Sequence, residues 1–189
     1  MSHMSPRDFE ERYREDSDPW DYEQSDYEHA KYEATLAACG DGPFANALEL
    51  GGSIGVFTEM LAPRCRSLAT IDVATTAAAM ARRRLADLPQ VRVIRGAIPE
   101  AIPEEQFDLI VASEILYYLA PDDLDHTLAL IRARLVRGGR LVAVHWRPPG
   151  PERPFTAADV HTRLRDDPWL RSVQGDASGM YLLDALDRR

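Results

Sequence analysis

Leu48-Glu49-Leu50-Gly51-Gly52-Ser53-Ile54-Gly55 decides the fold. An apolar strand runs straight into glycines, and from Val56 the pattern turns helical. Glycine lets a backbone bend sharply and approach a ligand closely, and the start of a helix offers unpaired N–H groups. That is the geometry of a nucleotide site, although a tight turn alone would look the same.

Working outward, apolar runs ending in polar residues recur at 47–50, 68–72, 91–94, 107–112 and 140–144, each suited to a buried strand. Helical stretches fall between them. Residues 56–61 stop at Pro63. Residues 76–88 carry Met80, Leu85 and Leu88 on one side, and 122–136 space Leu124, Leu128, Ile131 and Leu135 along one face, with Gly138-Gly139 as the stop. Strand, helix, strand at this spacing predicts parallel strands with right-handed crossovers and helices on both faces. Beyond Trp146 a stiff connector, Arg147-Pro148-Pro149-Gly150-Pro151, leads to a helix at 157–165. Runs at 170–174 and 180–186 suit an antiparallel hairpin at the sheet edge, with 175–179 as its turn. Ahead of the strands, 7–33 is acidic and aromatic and reads as helical pieces around an Asp18-Pro19-Trp20 turn.

Asp72 sharpens the reading of the glycine bend. It lies about 20 residues on, at the end of the next strand, where a carboxylate can accept from both ribose hydroxyls. A helix-capping acid is the plainer alternative. Dinucleotide binders use G-x-G-x-x-G to seat a pyrophosphate, whereas here Glu49 stands just before Gly51, Gly52 and Gly55. An acid there repels a pyrophosphate and suits the cationic amino-sulfonium of a methyl donor. One rival uses the same letters: Gly51-Gly52-Ser53-Ile54-Gly55 fits the elbow of serine hydrolases, and Asp108 or Asp122 and then His145 follow Ser53 in the required order. Against it, the residues ahead of this strand read as acidic and helical rather than as the strands and oxyanion loop that an elbow needs.

Open α/β sheets bind ligands at the carboxyl ends of their strands. Val73, then Ala97 and Ile98 after the third strand, Ser113 and Glu114 after the fourth, and His145 and Trp146 after the fifth all fall on that rim. Glu114 can hold an amino group or cap a helix. A histidine at His145 can take a proton near neutral pH or be structural, and Trp146 can face a sulfonium. His29, His126 and His161 read as surface residues, and isolated Cys39 and Cys65 as packing residues with neither zinc nor disulfide spacing.

The 189 residues suffice for one domain. Met-Ser-His-Met resembles a cloning remnant ahead of a second start at Met4, and no apolar run reaches about 18 residues, so a cytoplasmic address is expected. A net charge of −9, with Lys31 the only lysine among 22 basic residues, opposes nucleic-acid binding and points to a small-molecule or uncharged-polymer substrate.

Together the motifs resemble the seven-strand S-adenosylmethionine methyltransferases, and more narrowly the NodS-type nodulation N-methyltransferases. The likeness rests on Asp18-Pro19-Trp20, Tyr27-Glu28 with Lys31-Tyr32, the Ala47 to Gly55 stretch, Ser113-Glu114 with Tyr117-Tyr118-Leu119, and Gly139 to Trp146, and it runs from Phe9 to Asp184. It implies a single doubly wound, Rossmann-like α/β fold with a seven-stranded, mostly parallel sheet and a C-terminal antiparallel hairpin. It divides the chain into a remnant at 1–4, a helical lid at 5–40 and a core at 41–189. It also implies a pocket for S-adenosylmethionine, with S-adenosylhomocysteine as product, built from Glu49, Gly51, Gly52, Ser53, Gly55, Asp72, Val73, Ala97, Ile98, Ser113 and Trp20. The acceptor, an amine such as an amino sugar or an oligosaccharide bearing one, would lie against Tyr22, Tyr117, Tyr118 and Trp146, with His145 or Glu114 as proton acceptor. No metal is expected, and either a monomer or a homodimer is compatible. Members of this family methylate the free amino group of a chito-oligosaccharide, but similar sequences need not share an acceptor; O- and C-methylation and a binding module without catalysis stay open. Gly52 departs from a usual cysteine, an exchange expected to be tolerated.

Overall fold

The computed structural model describes residues 4–177 and 179–189. In chain order the elements are α1 (Pro6–Glu15), α2 (Asp26–Cys39), β1 (Ala47–Leu50), α3 (Val56–Leu61), β2 (Leu68–Asp72), α4 (Thr75–Arg84), β3 (Val91–Arg95), β4 (Phe107–Ser113), α5 (Pro121–Arg134), β5 (Leu135–Trp146), α6 (Ala157–Arg165), β6 (Leu170–Asp176) and β7 (Tyr181–Arg188). The strands form one seven-stranded sheet in the order β3-β2-β1-β4-β5-β7-β6. β1 pairs in parallel with both β2 and β4, so the winding reverses there, and ligands of such sheets bind in the crevice at that reversal. The last two strands are antiparallel, β7 lying between β5 and β6.

Alternation along the central strands builds a core on each face. Leu109 and Val111 of β4 point to the side of α2 and α3, while Ile110 and Ala112 point to the side of α5 and α6, all fully buried. A strand covered on both faces needs apolar residues at successive positions, which is why 109–112 is apolar throughout. Each fully buried Leu, Ile, Val or Phe contributes about 1.5–3 kcal/mol.

Capping sets the helix starts. Ser5 and Asp8 form a capping box at α1, Thr156 and Asp159 another at α6, and Ser25 accepts from Glu28 N at α2. One boundary departs from the periodicity: α5 ends at Arg134, and β5 already runs from Leu135 through Gly138-Gly139. The glycines supply a bulged entry into the strand, with Gly138 at φ +75°, where the pairing with β4 shifts register between Phe107 and Leu109.

The terminal hairpin falls as the sequence predicts, although its turn includes residue 178, which lies outside the described residues. Residues 1–3 of the expected cloning remnant at 1–4 lie outside them too. Met4, however, is buried, and its amide donates to Glu152 O. Among the described residues no helix is long and apolar enough to cross a membrane.

Candidate functional site

At the carboxyl rim of β1, β2, β4 and β5 lies a cavity of about 410 Å3, roofed by α1 and the segment leading into α2. Its size suits a small molecule, since such pockets run about 300–1,000 Å3. The floor is the glycine bend. Gly51, at φ +78°, disfavours a side chain, because the left-handed backbone would be strained and a Cβ there would crowd the Ile115 side chain at 3.1 Å. Ser53 also takes a left-handed conformation, φ +51°, which aims its amide at Asp72.

Asp72 is held by two backbone donors, Ser53 N at 2.8 Å and Ala74 N at 2.9 Å. It lines the cavity, so its unused lone pairs face the space a ligand would fill. Burial lifts its carboxyl to about 6 despite those donors, so a ligand's hydroxyls would relieve a real desolvation cost.

Of the remaining residues expected around a cofactor, Val73, Ala97, Ile98, Ser113 and Trp20 also line this cavity. Three do not. Glu49 and Gly52 border a separate hollow of about 30 Å3 next to it, shared with Ser53, Ser113 and Glu114. Gly55 faces neither space and packs against Ala81 and Leu85 of α4 as the left-handed N-cap of α3. Glu49 accepts from Thr58 Oγ1 at 2.5 Å and is 3 % exposed; burial pushes it up to about 7. At Gly52 the space is taken by a neighbour. A Cβ there would sit 1.8 Å from Thr70 Oγ1, so cysteine fits only if Thr70 turns away.

The opposite wall is aromatic and charged. Tyr22, Tyr117, Tyr118 and Trp146, the residues expected to contact an acceptor, line the cavity. Glu114, at φ +54°, anchors the wall. Its carboxylate accepts from the Tyr117 hydroxyl, from Trp146 N at 3.0 Å and from Lys31 Nζ at 3.0 Å. Lys31 also pairs with Glu28 at 2.8 Å and is 2 % exposed. Burial alone would lower its pKa, but Glu114 and Glu28 together outweigh that and raise it.

His145 is the clear correction. It is fully buried beneath this wall and absent from the cavity lining, with Nε2 accepting from Leu116 N at 3.2 Å and Nδ1 on His161 at 3.0 Å. Burial holds its pKa well below the usual value, and no ring nitrogen is free for a substrate. His161, read as a surface residue, is likewise fully buried.

The hydrolase arrangement does not assemble either. Ser53 Oγ meets the Tyr13 hydroxyl at 2.5 Å, Asp108 accepts from the amides of Ala45 and Asn46 at the far end of the sheet, and Asp122 is exposed on α5.

Sequence reasoning missed Tyr13, Glu28 and Lys31 as cavity residues and Arg153, whose guanidinium lies 4.4 Å over the Tyr117 ring. Lys31 carried a signal: it is the one lysine in an arginine-rich chain.

The sequence matches the family described as Nodulation protein S, NodS, over residues 3–138. The chain belongs to the NodS family. Among its relatives, Nodulation protein S of Rhizobium tropici is 38 % identical over 128 residues, 66 % of this chain and 53 % of that protein. The Bradyrhizobium diazoefficiens protein of the same name is 41 % identical over 103 residues, 54 % of this chain and 49 % of that protein. The chain thus spans about half the length of the curated relatives it matches. Among solved structures, N-methyltransferase NodS from Bradyrhizobium japonicum WM9 in complex with S-adenosyl-l-homocysteine superimposes with a TM-score of 0.88 at 27 % identity, covering 98 % of this chain and 99 % of that one. The seven-stranded, mostly parallel sheet is therefore the architecture of this NodS structure, and the cavity opens at the sheet's topological switch point.

Proposed function

We propose that this chain transfers a methyl group from S-adenosylmethionine to an amine on a small molecule, with an amino sugar as the leading acceptor. One observation carries the reading: Asp72, fixed by two amides at a strand end, lines a cavity together with Gly51 and Ser53 of the glycine bend. Those features fit the donor. Asp72 would hold the ribose hydroxyls, Gly51 and Ser53 would border the amino-acid end, and Ala97 and Ile98 would lie along the adenine.

Bound there, the donor supplies an activated methyl: the amine lone pair forms the new N–C bond while the C–S bond breaks and its electron pair stays on sulfur. The protein's part is then alignment and exclusion of water. Trp20, Tyr22 and Tyr118 exclude water from above. Glu114, with Lys31 and the Tyr117 hydroxyl fixing its orientation, faces an incoming ammonium, draws it in and takes the proton that must leave before attack. The acidic cavity favours such a guest, because Glu28, Asp72, Glu100, Glu114 and Asp123 line it against only Lys31 and Arg153. In this reading 5–40 act as a lid on a core of 41–189, and the protein works in the cytoplasm as a monomer or homodimer.

Calorimetry with S-adenosylmethionine and S-adenosylhomocysteine is the test, followed by mass spectrometry of glucosamine and of a deacetylated chito-oligosaccharide after incubation with the donor. Asp72→Asn weakens S-adenosylhomocysteine about 10- to 100-fold, because hydrogen bonds to a charged group contribute about 1.5–3 kcal/mol. Equal affinity in parent and variant overturns the assignment of Asp72, and no affinity in the parent overturns the function.

A further inference from the structure

Three polar side chains lie inside the molecule with no part in the cavity surface: His145 at the end of β5, His161 on α6 and Asp184 on β7, exposed by 0 %, 0 % and 1 %. They form one chain of contacts. Asp184 Oδ2 lies 2.6 Å from His161 Nδ1, His161 Nε2 lies 3.0 Å from His145 Nδ1, and His145 Nε2 lies 3.2 Å from Leu116 N. Arg165 Nε closes the outer end on Asp184 Oδ2 at 2.8 Å.

The protons in this chain have one arrangement. A backbone amide can only donate, so His145 Nε2 must be bare and its proton must sit on Nδ1. That proton points at His161 Nε2, which must therefore be bare too, and the proton of His161 is left on Nδ1 to meet the carboxylate. Both rings are neutral and every partner is satisfied. Adding a proton to either ring sets donor against donor, and the positive charges around His145 (Lys31 from α2, Arg153 from the loop after β5) oppose it further. Because the inner end is an amide, the chain cannot pass a proton to the cavity, and a general-base role for it is ruled out by geometry.

What the chain grips is the acceptor wall. Leu116 opens a short 3-10 turn, Leu116–Tyr118, separated from Glu114 by Ile115 alone. From this turn the Tyr117 hydroxyl reaches back to Glu114, whose own amide donates to Val144 O. The Tyr117 ring also packs edge-on against the His145 ring, centroids 4.9 Å apart. Apolar side chains would fill the same space with no desolvation cost, so two buried histidines and a buried carboxylate mark a demand for direction rather than for volume.

We propose that Asp184, His161 and His145 are positioning residues: a one-way hydrogen-bond chain that fixes the Leu116 amide and thereby sets Glu114 and Tyr117 against the acceptor. Its kinetic consequence rests on the methyl-transfer reading above, whereas its protonation pattern does not.

The experiment therefore has two arms. Side-chain nitrogen NMR of the wild-type protein at neutral pH shows both histidines as Nδ1–H tautomers, and His145 keeps that form down to about pH 5.5, well past the ordinary histidine pKa. In parallel, His145→Gln and His145→Leu are compared by Leu116 amide exchange, S-adenosylhomocysteine calorimetry and methyl transfer to a deacetylated chito-oligosaccharide. Glutamine can accept from Leu116 and donate to His161, and leucine can do neither. The leucine variant loses about 100-fold in kcat, the scale of a 1 Å misplacement, its Leu116 amide exchanges faster, and its affinity for S-adenosylhomocysteine is kept. The glutamine variant regains most of the rate.

An Nε2–H tautomer at His145, or equal loss in both variants, overturns the proposal. Should the leucine variant fail to fold, the tautomers and the glutamine variant decide, and a folded but inactive glutamine variant overturns it. A wild-type protein that neither binds S-adenosylhomocysteine nor transfers methyl sinks the methyltransferase reading, while NMR and amide exchange still judge the chain.

Discussion

Replacing Glu49 with glutamine removes a carboxylate that the fold keeps 3 % exposed behind the glycine bend. Burial raises this group from 4.5 to about 7, a gap that converts to about 3 kcal/mol at 1.36 kcal/mol per pKa unit. Because the folded value is the higher one, the associated stability is fully present below 4.5 and is lost as pH rises through about 7. Above that, the native protein carries the whole cost of a buried charge. Glu49→Gln keeps the shape and removes the titration. Urea denaturation of both proteins at about pH 8.5 and pH 5.5 isolates the effect: the advantage of the variant shrinks by about 2 kcal/mol on acidification. Effects common to both proteins cancel in this double difference. One of them is His145, whose lowered pKa works in the opposite direction by making the fold lose stability below the ordinary histidine value. The bond from Thr58 favours the ionised carboxyl and is already contained in the value of about 7, so it does not enter the difference a second time. A double difference near zero would refute the placement of a titrating carboxyl at Glu49.

Two further perturbations probe the frame of the site. Gly55→Ala forces a left-handed residue at φ +87° and sets a methyl 3.2–3.3 Å from Leu85 and Ala81, so thermal denaturation shows a loss of about 1–3 kcal/mol; an unchanged Tm contradicts the assignment of Gly55 to helix packing. Lys31→Met leaves the partly buried Glu28 and Glu114 without their shared cation, which costs about 1–3 kcal/mol at neutral pH. That loss shrinks as pH falls and a carboxyl takes up a proton, and a pH-independent loss argues against the pairing.

What was legible in the sequence lies close together along it. Leu48 to Gly55 and Asp72 form a linear signal, since a strand end, a glycine bend and the next strand end must be contiguous for the chain to turn at all. The contacts that complete the site come from distant elements: Lys31 meets Glu114 across 83 residues, and His145 meets His161 across 16. Nothing in local periodicity predicts which strand-end side chain points into a cavity and which points under it. His145 and Trp146 are neighbours on one rim, yet alternation along β5 sends Trp146 to the cavity and His145 beneath it. Gly138-Gly139 misled for a related reason: glycine stops a helix and bulges a strand alike, and only the pairing of β5 with β4 decides between them.

The N-terminal segment touches both halves of the cavity through different chemistry. On the Asp72 side its contacts are hydrogen bonds to the frame itself: Tyr13 to Ser53 Oγ at 2.5 Å, and Glu10 accepting from Thr76 N at 3.0 Å and Thr76 Oγ1 at 2.8 Å at the start of α4. On the opposite side it contributes Lys31 and Glu28, which complete the charge cluster around Glu114. Ser53 is the joint, because its hydroxyl meets Tyr13 while its amide holds Asp72. The seat of Tyr13 is thus shared with the carboxylate at the strand end, and the chain that continues from α1 into α2 brings Lys31 beside Glu114. Both sides of the cavity therefore take their polar contacts from one stretch of backbone, so a substitution that undocks α1 disturbs the surroundings of Asp72 and of Glu114 together.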